Sequence, residues 1–160
     1  MRHRFGILAA ALWWGSLTGL GFLVVPMLFV HLGTPATAGA MAAKLFTAQT
    51  WLSIGCAMLL LLICNQKELV APDPRARTAI KFVVTGFFLM VLVEFGLSPR
   101  IVNARVDGGS LKLWHGLGSA MYLGQWICSG YALWSLCADP PTSKKQAAPV
   151  AQSDGEVSAG

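Results

Sequence analysis

Four long apolar segments follow one another along this chain, and each is close to the length that spans a lipid bilayer. They cover residues 5–30, 45–64, 80–97 and 113–137. A spanning helix needs about 20 predominantly apolar residues, each adding about 1.5 Å of rise. Because short connections join successive segments, we expect an all-α fold, an integral membrane bundle of four antiparallel helices with short loops.

The composition is typical of a membrane protein and not of a soluble one. Hydrophobic residues make up 55% of the 160 residues and charged residues 12%, about half the charged share of a soluble domain. The net charge of +5 comes from loops and tails, where basic side chains set topology and meet anionic headgroups. We therefore expect the lipid bilayer as a partner and no nucleic acid.

The chain divides into a membrane domain and a tail. Residues 1–137 form the four-span domain, whereas residues 138–160 are rich in Pro, Ser, Ala, Gln and Gly, a composition typical of a disordered segment. The N-terminus starts with basic residues, as a signal peptide does, but its apolar stretch continues to Val30. That length predicts a retained first helix.

Loop positions and basic residues predict the topology. We expect loops over about 31–44, 65–79 and 98–112, with Thr34-Pro35 marking the start of the second helix. With the N-terminus inside, eight of the 12 Lys and Arg residues lie on the inner side and four on the outer side. This excess predicts a multi-pass protein of a bacterial inner membrane with both termini in the cytoplasm.

Small residues predict where helices approach closely. Gly15 and Gly19 form a Gly-xxx-Gly pattern in the first helix, and Gly86 and Gly118 lie in the third and fourth helices. Small side chains let helix backbones come together in lipid, where no hydrophobic drive between helices exists. The pattern is common in membrane helices and specifies no function.

Polar residues at membrane depth gather at the predicted outer side. An ionisable residue within a span is expensive unless it is paired, so by default it indicates a functional site. The candidate ligand-binding cluster consists of Lys44, Gln49, Glu94, Arg100, His115 and Tyr122. No residue is predicted to be catalytic. Motifs of soluble enzymes such as the P-loop and HExxH are absent, which favours a protein that is not an enzyme.

Glu94 is the strongest candidate for a functional residue in this cluster, because it follows the apolar run 87–93. Its expected partners are His115, Arg100 or Lys44. In one interpretation an ion pair locks the third and fourth helices together. In the other, the carboxyl group relays protons or binds a ligand.

His115 opens a stripe of small, polar and aromatic residues on the fourth helix. The stripe continues at helical spacing through Gly118, Ser119, Tyr122, Trp126 and Ser129, and we expect it to face the bundle interior. His115 is interpreted either as a packed histidine or as a haem or copper ligand. His31 would supply the second imidazole, unless it is only a loop residue.

The four cysteines lie within or at the ends of the spans. They are interpreted as small buried hydrophobic residues. The alternative is a soft-metal site formed by Cys64 and Cys137, which should lie at the same membrane face.

Several runs of residues resemble a known family. They are Leu12-Trp13-Trp14-Gly15, Val25-Pro26-Met27-Leu28-Phe29, Ala38-Gly39-Ala40-Met41-Ala42-Ala43-Lys44-Leu45-Phe46, Ser98-Pro99-Arg100-Ile101 and Trp114-His115-Gly116-Leu117-Gly118-Ser119. Over about residues 5–134 the chain resembles small four-helix membrane proteins that carry a domain of unknown function, and it is similar to a eukaryotic protein of the TMEM type. The resemblance implies the four-span fold and carries no established activity.

A more distant resemblance is to the bundles of copper resistance protein D and of the membrane protoporphyrinogen oxidase. It implies a haem or copper site with His31 and His115 as candidate ligands, by analogy of fold alone.

Three hypotheses about function remain open at this point. The first is a membrane protein that binds, senses or helps move a small solute or ion through the polar cluster, which four short helices would do as a homo-oligomer. The second is a haem- or copper-binding protein that uses His115 and His31. The third is a structural subunit or assembly partner of a membrane-protein complex, with the Gly-xxx-Gly face and the tail as contact surfaces.

Overall fold

The computed structural model describes residues 2–70, 74–101 and 110–138, and almost all of them are helical. The first helical rod consists of α1 (Arg2–Thr18), a first π segment (Gly19–Val24) and α2 (Val25–His31). The second rod is α3 (Pro35–Val70). The third contains α4 (Pro74–Val91), a second π segment (Leu92–Leu97) and a helical turn over 98–101, and the fourth is α5 (Leu111–Cys137). The predicted all-α bundle of four helices is confirmed.

The rods form a closed ring in which each contacts the next and the fourth contacts the first. Gln49 of α3 reaches Ser16 of α1, whereas Gly6 lies against Ile63 near the other end. Neighbouring rods therefore run in opposite directions, as their short connections require. We call the end that carries residues 32–34 the turn end of the bundle.

Within the described residues, three helices are long and apolar enough to cross a membrane, which makes this a multi-pass membrane protein. They cover Arg4–His31, Pro35–Gln66 and Ala76–Ile101. α5 has 27 residues, a length of about 40 Å, but it is not among the three candidate spans in the described part of the chain. Polar and small residues such as Gln125 and Gly124 interrupt its apolar residues. The fourth span therefore stays a prediction.

The start of α3 follows the predicted capping chemistry. The Thr34 hydroxyl accepts a hydrogen bond from the Thr37 backbone N–H at 3.2 Å, and Pro35 occupies the first helical position, where no N–H is needed. The predicted loop over 65–79 was too long, because α3 continues to Val70 and α4 already begins at Pro74. The third rod likewise continues to Ile101. Most of the predicted loop over 98–112, namely residues 102–109, and residues 139–160 of the predicted tail lie outside the described residues.

Each π segment ends two residues before a proline. The first ends at Val24 before Pro26, and the second ends at Leu97 before Pro99. A proline inside a helix donates no backbone hydrogen bond, and its ring clashes with the carbonyl four residues earlier. Widening the preceding turn relieves that clash while the rod continues. Both widened turns lie in the turn-end half of the bundle.

The core between the rods is apolar, and small residues allow the rods to approach closely. Trp13, Leu17, Leu60 and Val83 are fully buried at its centre. A Cβ at Gly86 would lie 3.1 Å from Trp13 Cη2, so the predicted close packing at Gly86 is confirmed.

The predicted packing role of Gly15 and Gly19 is wrong within this bundle. A Cβ at either position would meet nothing within 4 Å. α1 instead packs through Ala9, Ala10, Trp13 and Leu17, which are all buried. These residues recur at helical spacing on another side of the helix. Gly15 therefore faces outward.

Candidate functional site

Glu94 lies in the second π segment and reaches across to α3. Its Oε1 accepts a hydrogen bond from the Thr47 hydroxyl at 3.2 Å, and its Oε2 lies 3.3 Å from the Thr50 hydroxyl. The Thr50 hydroxyl is also 3.0 Å from the Phe46 carbonyl oxygen. Because a hydroxyl group has one proton, Thr50 donates to only one of these acceptors at a time. The carboxylate is thus held by neutral groups.

The basic partners expected for Glu94 lie elsewhere. No ion pair joins it to Lys44, Arg100 or His115 among the residues that the structure describes. The Arg100 guanidinium instead stacks over the Trp114 ring, with Cζ 5.0 Å from the ring centroid, and this contact connects the third and fourth rods. Lys44 is exposed. Long basic side chains near helix ends extend toward water, which takes them away from the carboxylate.

A small cavity of about 30 Å³ lies next to Glu94 inside the bundle. Phe46, Met90 and Val93 supply its apolar wall. Its polar lining consists of Gln49, Thr50, Ser53, Glu94, Tyr122 and Gln125. We call these six side chains, together with Thr47, the Glu94 cluster.

Gln49 connects α1 to α3 behind this cavity. Its Nε2 donates to the Ser16 hydroxyl at 2.9 Å and to the Ser53 hydroxyl at 3.2 Å. Both amide protons are then used, while the Oε1 atom accepts no hydrogen bond within the described chain. Gln49 therefore lies beside the cavity, and its predicted role in ligand binding stays a prediction.

Gln125 is the second glutamine that lines the cavity. It is only 5% exposed, and its side chain forms no hydrogen bond with any described residue. Buried polar groups in folded proteins nearly always have a hydrogen-bonding partner. Within the described chain, Trp13 Nε1 is the side-chain atom that is fully buried without a partner, so the Gln125 amide keeps accessible surface and is open to a partner from the cavity that it lines.

Tyr122 closes the cavity from α5 and is anchored at the first π segment. Its hydroxyl donates to the Leu17 carbonyl oxygen at 2.7 Å, and its ring lies directly beside Gly21. An α-helix would join Leu17 to Gly21 directly, and the tyrosine contacts both where the helix widens. Its ring packs edge-on against Phe46, with centroids 5.4 Å apart. This placement agrees with the prediction that Tyr122 faces the interior.

The interior stripe of α5 is shorter than predicted. Tyr122 is half-buried and Ser129 is fully buried, but His115 and Ser119 at its start are exposed. The first turns of α5 meet the third rod through Trp114, which lies under Arg100, and through Gly118, which lies next to Leu97. His115 therefore faces outward, contrary to the expectation for this residue.

The candidate metal ligands do not form a built site. His31 is exposed, with Nδ1 3.0 Å from the Met27 carbonyl oxygen, and neither His31 nor His115 lines the cavity. Cys64 is buried whereas Cys137 is exposed. Across the described ranges, no group of three or more His, Cys, Asp or Glu side chains is placed to hold a metal ion. A haem or copper site at His31 and His115 therefore stays a prediction.

Sequence reasoning found the carboxylate and both lining residues Gln49 and Tyr122, but it missed the hydroxyl groups. Thr47, Thr50 and Ser53 recur every three residues within the apolar segment of α3. Such spacing places all three on one face of a helix. This polar stripe was the signal that indicates the side of α3 facing Glu94.

Comparison with known proteins adds a family but no function. A family model described as "Domain of unknown function (DUF4149)" matches residues 8–110. No curated protein and no solved structure matches the chain. The matched range includes Glu94 and its partners on α3, and it stops just before α5 begins at Leu111.

Proposed function

Since this chain belongs to the DUF4149 family, which is defined by a domain of unknown function, we propose its function from its own residues. It is a multi-pass membrane protein that binds a small solute or ion at the Glu94 cluster. Binding is the step through which the protein senses that solute or helps it to cross the membrane.

The observation that carries this proposal is a carboxylate within a candidate span that has hydroxyl partners and no basic partner in the described chain. A charge at this depth is expensive unless it is neutralised. Hydroxyl groups position the carboxylate but carry no compensating charge. The adjacent cavity with its polar lining has space for a ligand that would supply the compensating positive charge.

The same geometry weakens a purely structural role for Glu94. A locking ion pair between the third and fourth rods needs a basic group near the carboxylate, and Arg100 and His115 point elsewhere. The two threonine contacts, at 3.2 and 3.3 Å, hold the rods together less strongly than the packing of apolar side chains such as Trp13 does. Binding accounts for the position of Glu94 better than locking does.

The placement in the membrane completes the proposal. The excess of basic residues on the N-terminal side favours both termini in the cytoplasm of a bacterial cell, which puts the Glu94 cluster toward the outer leaflet. The bilayer covers the exposed apolar faces. Four helices enclose only a small cavity, so movement of a solute would involve several copies of the chain.

The test compares Glu94→Gln with Glu68→Gln in purified protein reconstituted into lipid nanodiscs. Glu68 lies in the last turn of α3, at the opposite end of the bundle, and serves as the matched control. Thermal unfolding is followed in a panel of inorganic ions and small polar solutes. Anything that binds only the folded protein raises its unfolding temperature.

We expect at least one compound to stabilise the wild type and Glu68→Gln but not Glu94→Gln. The proposal is contradicted if every compound that stabilises the wild type also stabilises Glu94→Gln. If no compound stabilises the wild type and Glu94→Gln only lowers the unfolding temperature, then the carboxylate is structural.

A further inference from the structure

We propose that the cavity of the Glu94 cluster binds one largely dehydrated monovalent alkali cation, Na⁺ or K⁺, with Glu94 as its counter-charge. This inference rests on the proposed function and identifies its ligand by charge, size and chemistry.

The donor atoms that line the cavity are those of a hard cation site. The groups that face it are a carboxylate, hydroxyls and side-chain amides, from Glu94, Thr50, Ser53, Gln49 and Gln125. Oxygen ligands of this kind favour alkali and alkaline-earth ions, whereas soft metals select thiolate and imidazole. Among the described residues lining the cavity, none is a cysteine or a histidine. The chemistry therefore favours a hard cation.

The charge of the lining favours a monovalent ion. Glu94 is the one acidic side chain on the cavity wall, and no lysine or arginine is among the described lining residues. A monovalent cation would make the site neutral. A divalent ion would leave a net positive charge within the membrane, which is as unfavourable as the unpaired carboxylate.

Two buried amides supply the remaining contacts. Gln125 is buried without a hydrogen bond in the described chain, and Gln49 uses both amide protons on serines while its Oε1 accepts nothing. Each amide oxygen is then available to coordinate an ion. An ordered water would satisfy the amides but would leave the charge of Glu94 uncompensated.

The cavity volume limits the size of the ligand. About 30 Å³ holds roughly one water-sized particle. This space fits a bare ion or an ion that keeps a single water molecule, whereas a fully hydrated ion or an organic solute is larger. Bare Na⁺ and bare K⁺ are each no larger than a water molecule, so this volume admits either ion.

The experiment measures binding of ²²Na⁺ to the full chain in lipid nanodiscs, at constant ionic strength set with choline chloride. We expect saturable binding of about one Na⁺ per chain, with K⁺ competing for the same site and Ca²⁺ not competing. Glu94→Gln should abolish binding, and Gln125→Leu should weaken it by at least about tenfold. Glu68→Gln should bind as the wild type does.

Three results would overturn the inference. They are the absence of saturable Na⁺ binding by folded wild-type protein, unchanged binding by Glu94→Gln, and competition by Ca²⁺ as strong as that by Na⁺. If Glu94→Gln does not fold, then Thr50→Val and Gln125→Leu replace it, and normal binding by both overturns the inference equally.

The two proposals fail separately. If Na⁺ does not bind but another compound stabilises the wild type and not Glu94→Gln, the proposed function stands and the cation assignment falls. If no compound acts through Glu94, both fall.

Discussion

Gly21 is the residue at which the bundle leaves least room for a side chain. A Cβ at this position would lie 2.6 Å from Tyr122 Cε1 and 3.2 Å from its hydroxyl oxygen. The obstacle is an aromatic ring that is itself fixed by its hydrogen bond to the Leu17 carbonyl. A methyl group would therefore displace Tyr122 from the cavity wall.

We predict that Gly21→Ala lowers the free energy of unfolding by about 1–3 kcal/mol, the usual range for overpacking. Gly19→Ala is the matched control, because Gly19 lies in the same π segment and a Cβ there meets nothing within 4 Å. The control should keep wild-type stability or gain up to about 1 kcal/mol. Denaturant unfolding in mild detergent measures both. Equal losses for the two variants would show that the π segment itself, and not Tyr122, rejects a side chain.

Glu94 shows what can be predicted for a single residue. Its apolar surroundings along the chain were enough to identify a carboxylate at membrane depth. Its partners were not predictable, because they depend on the rotation of α3. Lys44 and Thr47 are only three residues apart, yet Thr47 contacts Glu94 and Lys44 is exposed. Opposite charge favours Lys44, whereas the length of its side chain and nearby water take it outward.

At the scale of elements, the two π segments arise from prolines in the sequence, and the packing of the rods places both beside the Glu94 cluster. Pro26 and Pro99 each follow a widened turn by two residues, which the chemistry of proline explains. The packing of the rods, in contrast, places Glu94 in one widened turn beside the cavity and Tyr122 against the other. π segments are frequent at functional sites, and here both adjoin the Glu94 cluster.

α5 is the element whose membrane position needs a direct test. It is long enough to span, but its polar and small residues keep it out of the three candidate spans of the described chain. Many of these residues face the other rods: Gln125 and Ser129 are buried, and Trp126 donates a hydrogen bond to Thr18 at 2.8 Å. Polar groups satisfied inside a bundle are compatible with a spanning helix.

We therefore predict that the two ends of α5 lie on opposite sides of the membrane. Alkaline phosphatase fused after Ser110 should be active outside the cytoplasm, and the same enzyme fused after Ala138 should be inactive. Green fluorescent protein fused after Ala138 should fluoresce. Phosphatase activity that is the same at both positions would contradict the span and place α5 along one surface of the membrane.

At the scale of the whole molecule, stability comes from the ring of four rods. Leu136, in the last turn of α5, is only 8% exposed and belongs to the same apolar core as Trp13 and Leu60. Residues 139–160 have a composition that buries little apolar surface. We expect the boundary of the folded unit to fall next to Ala138.

A chain that ends at Ala138 should accordingly unfold at the same temperature as the full chain. A chain that ends at Leu133 loses Leu136 and Ser135, both buried, and should be less stable by about 2–4 kcal/mol. Thermal unfolding in nanodiscs compares the three proteins. A clear loss of stability on removal of residues 139–160 alone would mean that this segment packs against the bundle.

The sequence by itself determined the properties that each segment has independently of its neighbours. Apolar length determined the number of rods, the positions of threonine and proline determined the start of α3, and the burial cost of charge identified Glu94. These follow from local chemistry and from transfer of each segment into lipid, which need no knowledge of neighbours.

Only the tertiary structure decided which faces meet. It turned Thr47 and Thr50 toward Glu94, buried Gln125 beside the cavity and set Tyr122 against Leu17. It also left Gly15 and His115 facing outward. The reason is physical: in lipid, helices associate through close packing and a few hydrogen bonds. Rotation and register therefore depend on all four rods at once, and no single segment encodes them.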